Sequence, residues 1–246
     1  MPRYDYVSMG FYTYDCLGWP FTEVPPGGGT AMQTLSRLRG SARLANLFAS
    51  LNLPQGSRIA VQVEKSPEAL MLYLATIRAG FVYLPLNTAY RAAEMEYFIA
   101  NASPAVVVCS PLNFGWITQI AFKAGTGHVF TLDEARTGKN SGSLLTRALH
   151  HSDTFETVHK EPDELAAILY TSGTTGRSKG AMLSHGNLAS NIRVLQELWQ
   201  WRSGDVLLHA LPLFHIHGLF VAAHGALMNG SKMIFLSKFD SASVIR

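Results

Sequence analysis

The sequence predicts an α/β protein built on mostly parallel sheets with flanking helices. Three observations carry that prediction. Over residues 35–109, short β-branched runs alternate with segments of helical period, the pattern of βαβ units. Residues 105–109, AVVVC, are apolar throughout, as a strand buried on both faces of a parallel sheet is. A further apolar run at 165–170, LAAILY, feeds directly into the glycine- and hydroxyl-rich stretch TSGTTGRSKG at 171–180, and open α/β sheets bind ligands beyond the carboxyl ends of their strands.

The elements follow in order. Residues 1–34 are rich in tyrosine and phenylalanine without clean period and end in the breaker cluster EVPPGGGT, so poor order and no function are expected there. Residues 35–51 are helical in pattern, with Leu38, Ala42, Ala45 and Phe48 on one face. Residues 58–63, RIAVQV, alternate as a strand does. Ser66-Pro67 opens a helix that Gly80 closes after Arg78. Residues 81–86 read as a strand, 92–101 as a helix and 105–109 as the buried strand. The stretch 111–160 is less regular, with a short strand at 128–132, a flexible loop at 137–143 and a short helix at 144–150. After the strand at 165–170 and the loop, residues 180–183 form a further short, mostly apolar piece. Ser184 is positioned to cap a helix that runs to about Trp201. A strand at 205–212, a full or partial helix at 217–228 and a strand at 233–236 complete the pattern. No internal repeat is visible, and nothing separates two domains.

Composition narrows the function classes. The chain has 246 residues, 48% hydrophobic and 15% charged, an ordinary globular balance with enough length for a sizeable core. A formal charge of +3 with scattered basic residues argues against a nucleic-acid partner. The cysteines Cys16 and Cys109 give neither a metal spacing nor a disulfide framework, so a reducing, cytoplasmic setting is expected. No apolar run reaches the length of a membrane span, and the first residues carry neither a secretory signal nor a transit peptide.

The chemistry concentrates in Thr171, Ser172, Gly173, Thr174, Thr175, Gly176, Arg177, Ser178 and Lys179. The glycines allow close approach of backbone to ligand, successive amides can form an anion nest, and Lys179 adds a mobile positive charge. Together they describe a loop for polyphosphate. The Walker A spacing does not fit, because the lysine follows Gly176 by three residues and precedes Gly180. The competing reading is a polar surface turn. A second cluster is His209, His215 and His217. An H-x-H pair can ligate a metal, yet no cysteine or carboxylate nearby completes a zinc set, so no metal site is expected. These histidines are either buried groups satisfied by backbone or functional. Asn87, Thr88 and Tyr90 follow a strand but read as a plain turn. Glu64 and Lys65 read as a surface pair. Trp199 and Trp201 read as helix packing.

YTSGTTGRSKGAMLSH at 170–185 resembles the signature phosphate loop of the adenylate-forming superfamily, which includes acyl-CoA synthetases and luciferases. HALPLFHIHGLF at 209–220 resembles the superfamily's next segment, and VQVEKSPEALMLYLATIRAGFVYLPLNTAY at 61–90 its N-terminal region. The wording is most similar to malonyl-CoA synthetases, and the resemblance runs from about Leu35 to the last residue. It implies the fold of an incomplete N-terminal large domain, with 1–34 an atypical segment and 35–246 a partial AMP-binding domain. It implies an acid–CoA ligase that forms an acyl-adenylate and then a thioester, with ATP, Mg2+ and CoA used and malonate favoured as the acid. Short- or medium-chain fatty acids, or a non-catalytic nucleotide-binding remnant, are the alternatives.

By the same resemblance the loop clamps the β- and γ-phosphates, and Lys179 and His215 are catalytic. His215 lies against the acyl-adenylate, and His217 helps line an acyl pocket suited to a polar or acidic group. The Y-G-x-T-E segment, the ribose-binding aspartate, the hinge and the lysine-bearing small domain of the superfamily are expected to lie outside these residues, so little turnover is expected of this chain alone.

Overall fold

The computed structural model describes residues 5–8, 31–133, 142–171, 177–202 and 204–245. The strands are β1 (Asp5–Ser8), β2 (Arg58–Gln62), β3 (Val82–Pro85), β4 (Val106–Cys109), β5 (His128–Thr131), β6 (Leu165–Thr171), β7 (Lys179–Ser184), β8 (Val206–His209) and β9 (Lys232–Phe235). The helices are α1 (Ala31–Ser50), α2 (Pro67–Arg78), α3 (Ala92–Ala102), α4 (Phe114–Lys123), α5 (Ser143–Ala148), α6 (His185–Trp199), α7 (His224–Met228) and α8 (Ser241–Ile245), and a π-helical stretch, His217–Ala223, leads into α7.

Among the described residues the strands form a six-stranded sheet in the order β5-β4-β2-β3-β6-β7 and a three-stranded sheet in the order β1-β9-β8. The pairings from β5 to β6 are parallel. The exceptions lie at the edges: β7 runs antiparallel to β6, and β1 antiparallel to β9. The two faces of the large sheet follow from alternation along each strand. Ile59, Val61, Val106 and Val108 point to one side, where Leu44 and Phe48 of α1, Leu70 and Tyr73 of α2, and Phe220 and Met233 from the region of the small sheet complete one core. Ala60, Val82, Leu84 and Val107 point to the other, covered by Met95, Phe98 and Ile99 of α3 and Ile117 and Ala121 of α4. Burial on both faces explains the unbroken apolar runs. Among the described residues the small sheet shares the first core.

Local signals set the helix ends. Ser66 caps α2, its hydroxyl accepting from the Ala69 amide, with Pro67 in the first turn; such a cap contributes about 1 kcal/mol. Ser184 and Asn187 form a capping box on α6.

The structure adds or moves several elements. β1 lies within residues 1–34, and α1 begins at Ala31. α4 falls in the stretch read as irregular. Ser143 of the loop expected at 137–143 starts α5, and 134–141 lie outside the described residues. The apolar piece at 180–183 is β7, the antiparallel partner of β6. Among the described residues, no helix is long and apolar enough to cross a membrane.

Candidate functional site

The glycine- and hydroxyl-rich stretch is the connection of a hairpin. Thr171, the last residue of β6, is the cross-strand partner of Lys179, the first residue of β7, and both are exposed. The described limbs therefore meet at the carboxyl end of β6, whose other neighbour, β3, is parallel to it. Ser172, Gly173, Thr174, Thr175 and Gly176 lie outside the described residues.

Helix α3 supports both limbs of this connection. On the far limb, the Tyr97 hydroxyl donates to the main-chain oxygen of Ser178 at 2.8 Å. The Arg177 guanidinium lies 5.6 Å from the centroid of the Tyr97 ring, a cation–π distance. On the near limb, the Tyr170 hydroxyl donates to Oδ1 of Asn101. The Tyr170 ring packs against Phe98, with centroids 4.4 Å apart, and edge-on to Tyr97 at 6.3 Å. Burial, and next the neighbouring Tyr97, raise the Tyr170 phenol above its ordinary range. A cleft of about 530 Å³ opens here, lined by Tyr90, Glu94, Glu96, Tyr97, Arg177 and Ser178. Its two carboxylates have partners: Glu94 accepts from the Arg91 amide, and Glu96 pairs with Lys123 at 2.6 Å.

The histidines separate into two kinds. His209 ends β8 and is buried; its Nε2 is 2.8 Å from the Gly218 carbonyl, and its ring stacks on Phe235. Burial, helped by the charge of Lys65, pushes its pKa down to about 4. His209 thus fits the buried reading at Nε2, which the backbone satisfies, while its Nδ1 has no hydrogen-bond partner among the described residues. His215 and His217 are exposed, and their rings stack with centroids 5.5 Å apart and planes 17° from parallel. The structure joins these two to one another. No hydrogen bond, ion pair or ring contact among the described residues joins them to Thr171, Arg177, Ser178 or Lys179. No group of three or more His, Cys, Asp or Glu among the described residues could hold a metal ion.

Of the remaining candidates, Asn87 closes an Asx turn onto the Ala89 amide, which fits a turn. Trp201 packs against Gly225 and the core, while Trp199 is half exposed. The reading of Glu64 and Lys65 as a surface pair is corrected. Glu64 is exposed, but Lys65 turns inward, donates to the His209 carbonyl, and is pushed down to about 7 by burial. Sequence reasoning also passed over Tyr97 and the buried His224, whose Nε2 meets the Tyr73 hydroxyl. The period of α3 was the available signal for Tyr97, one residue before the core residue Phe98.

Residues 38–245 match the family model described as AMP-binding enzyme. The chain belongs to the AMP-binding enzyme family. Among curated relatives it is 33% identical over 199 residues to a malonate–CoA ligase of Arabidopsis thaliana, covering 81% of this chain and 32% of that protein. It is 30% identical over 226 residues to a feruloyl-CoA synthase of an Amycolatopsis species, covering 89% of this chain and 41% of that one. Among solved structures it is 51% identical to ATP-bound MatB from Rhodopseudomonas palustris, with a TM-score of 0.81 over 86% of this chain and 41% of that one. The α/β fold with mostly parallel sheets is therefore that of adenylate-forming acyl-CoA synthetases over the matched span. The chain spans about a third to two fifths of the length of these relatives.

Proposed function

We propose that this chain supplies the ATP phosphate clamp and part of the acyl site of an acid–CoA ligase acting on malonate or a close dicarboxylate. The observation that carries the reading is the hairpin connection between Thr171 and Lys179, with a loop composition suited to polyphosphate and α3 bracing both limbs. The likeness to a malonate–CoA ligase and to MatB supports the choice of acid.

In this reading the acid's carboxylate attacks the α-phosphorus of ATP, releasing pyrophosphate, and CoA thiol then displaces AMP to form the thioester. The loop amides and hydroxyls, with Arg177 and Lys179, hold the β- and γ-phosphates in line and offset the charge that develops on the leaving pyrophosphate. His215 faces the acyl-adenylate, and His217 lends polarity to the acyl pocket. The described residues do not form a ligand set for magnesium; the ion is assigned to ATP itself, and no step runs through it. A cytoplasmic setting goes with this reading.

The experiment is AMP release from ATP and CoA with malonate or octanoate, run beside equilibrium ATP binding by this chain. Malonate-dependent release supports the assignment. Release with octanoate and not malonate transfers it to fatty acids. ATP binding without release for any acid reduces the chain to a nucleotide-binding element. Lys179→Ala is expected to weaken use of ATP about tenfold to a hundredfold, and an unchanged value removes Lys179 from the clamp.

A further inference from the structure

One cluster ties the two sheets together at the carboxyl ends of their strands. Lys65 lies between β2 and the capping Ser66 of α2. Its Nζ donates to the main-chain oxygen of His209, the last residue of β8. It also lies 4.8 Å from the ring centroid of Phe235, the last residue of β9. The His209 ring stacks on the same Phe235, with centroids 4.9 Å apart. Its Nε2 reaches the Gly218 carbonyl, an arrangement in which Nε2 carries the proton and donates. The His209 carbonyl accepts a second bond from the Leu236 amide at 3.0 Å. His209 and Gly218 bound the segment 210–217, so both ends of that segment are pinned to one cluster, and the cluster is anchored from the large sheet by one amine.

The chemistry of Lys65 is unusual for a lysine on a loop. A long amine stem ordinarily carries its charge to water. Here the partners among the described residues are a carbonyl and an aromatic face, with no carboxylate. Desolvation without a counter-ion is costly, and it shows in the depressed pKa. Nothing in the core requires it, since an apolar side chain of the same length would fill the space at less cost. The one thing Lys65 supplies that such a residue could not is the tether to His209.

We propose that Lys65 is a positioning residue, holding segment 210–217 through the His209 carbonyl so that His215 and His217 are presented to the acyl side of the site. The consequence for acyl binding rests on the reading of those two histidines given above, whereas the tether rests on geometry alone.

Hydrogen–deuterium exchange on this chain separates the two. Lys65→Met keeps the stem and removes the donor. Exchange is expected to accelerate about tenfold at amides anchored to the segment, those of His215, Leu219 and Leu236, while the amides of β2, β3 and β6 stay as they were. Lys65→Arg keeps a cationic donor and is expected to stay close to the parent protein. Unchanged exchange in Lys65→Met, uniform acceleration over the whole chain, or equal acceleration in Lys65→Arg each overturns the tether. If Lys65→Met does not fold, Lys65→Gln, too short to reach the carbonyl, takes its place with the same expectation.

In the AMP-release assay, Lys65→Met is expected to raise KM for malonate several-fold while leaving KM for ATP unchanged. An equal change in both, or none, overturns the acyl-side role. If the parent chain releases no AMP, as is expected of it alone, equilibrium binding replaces KM, with Lys65→Met expected to weaken malonate binding several-fold and to leave ATP binding unchanged; equal or absent changes overturn the acyl-side role, and the exchange experiment still decides whether Lys65 holds the segment.

Discussion

Glu64 and Lys65 are neighbours that differ in exposure where the chain bends between β2 and α2, Glu64 exposed and Lys65 partly buried. Composition shows two adjacent charges and nothing of their direction, so the pair read as solvated; only the contacts of Lys65 with His209 at the end of β8 and Phe235 at the end of β9 reveal that one of them is enclosed. The loop proposed to hold phosphate stands out in the sequence for the opposite reason. Its chemistry resides in residue types and spacing, which a sequence displays directly. What the sequence could not display is the register that sets Thr171 opposite Lys179, or the hydroxyl that Tyr97 sends to Ser178 from a distant helix. That contact is testable by itself. Tyr97→Phe removes a bond contributing about 1 kcal/mol and keeps the ring beneath Arg177. Trypsin cleavage after Arg177 should therefore quicken several-fold in Tyr97→Phe and more in Tyr97→Ala, with other sites cut at parent rates. Equal cleavage at Arg177 in all three proteins would remove Tyr97 from the support of the loop.

At the scale of elements, the strands and helices that read cleanly are those whose burial is unambiguous. β2, β3 and β4 are buried nearly throughout, and α2 carries both a cap and a dense apolar face. α4 buries Ile117 and Ala121 and also carries the exposed Phe114 and Phe122, so its apolar residues extend past the face it buries. The helix expected at 217–228 exists, but its first half is a π-helical stretch. Close backbone packing accompanies that departure. A Cβ on Gly218 would stand 2.0 Å from the Pro212 carbonyl oxygen and 3.3 Å from the Leu211 Cβ. The obstacle is backbone, which cannot swing aside as a flexible side chain does. Gly218→Ala is expected to lower unfolding stability by about 1–3 kcal/mol and to speed exchange at the Leu219 amide. A urea midpoint equal to the parent's would show that the segment yields without cost.

For the whole molecule, both sheets bury side chains against the same cluster among the described residues. Four outer strands, β1, β5, β7 and β8, have one partner each among the described residues, and two of these expose large apolar side chains. β8 exposes Val206 and Leu208, and β7 exposes Met182. Unpaired edges with apolar side chains invite pairing with other chains, so the chain should self-associate with rising concentration in sedimentation velocity, and Val206→Lys should reduce that association. Response to acid is a separate property of the whole fold. His209 and His224 are buried, each with its pKa pushed down to about 4 by desolvation, His209 also by the nearby charge of Lys65. In the unfolded chain both titrate near the ordinary 6.5. Above that value both are neutral in either state, and their contribution to stability is fully present. As pH falls from 6.5 toward 4 the unfolded chain takes up protons that the folded chain refuses, so stability is lost, and the loss is complete once the folded pKa is passed. Lys65, depressed from 10.5 to about 7, acts in the same direction over a higher window, with stability rising as pH climbs through it. The urea midpoint should therefore drop between about pH 6.5 and about pH 4.5. His224→Gln keeps an acceptor for the Tyr73 hydroxyl and removes one titrating group, so it should flatten that slope. A parent midpoint constant across this interval would mean that the two imidazoles are not held neutral by the core.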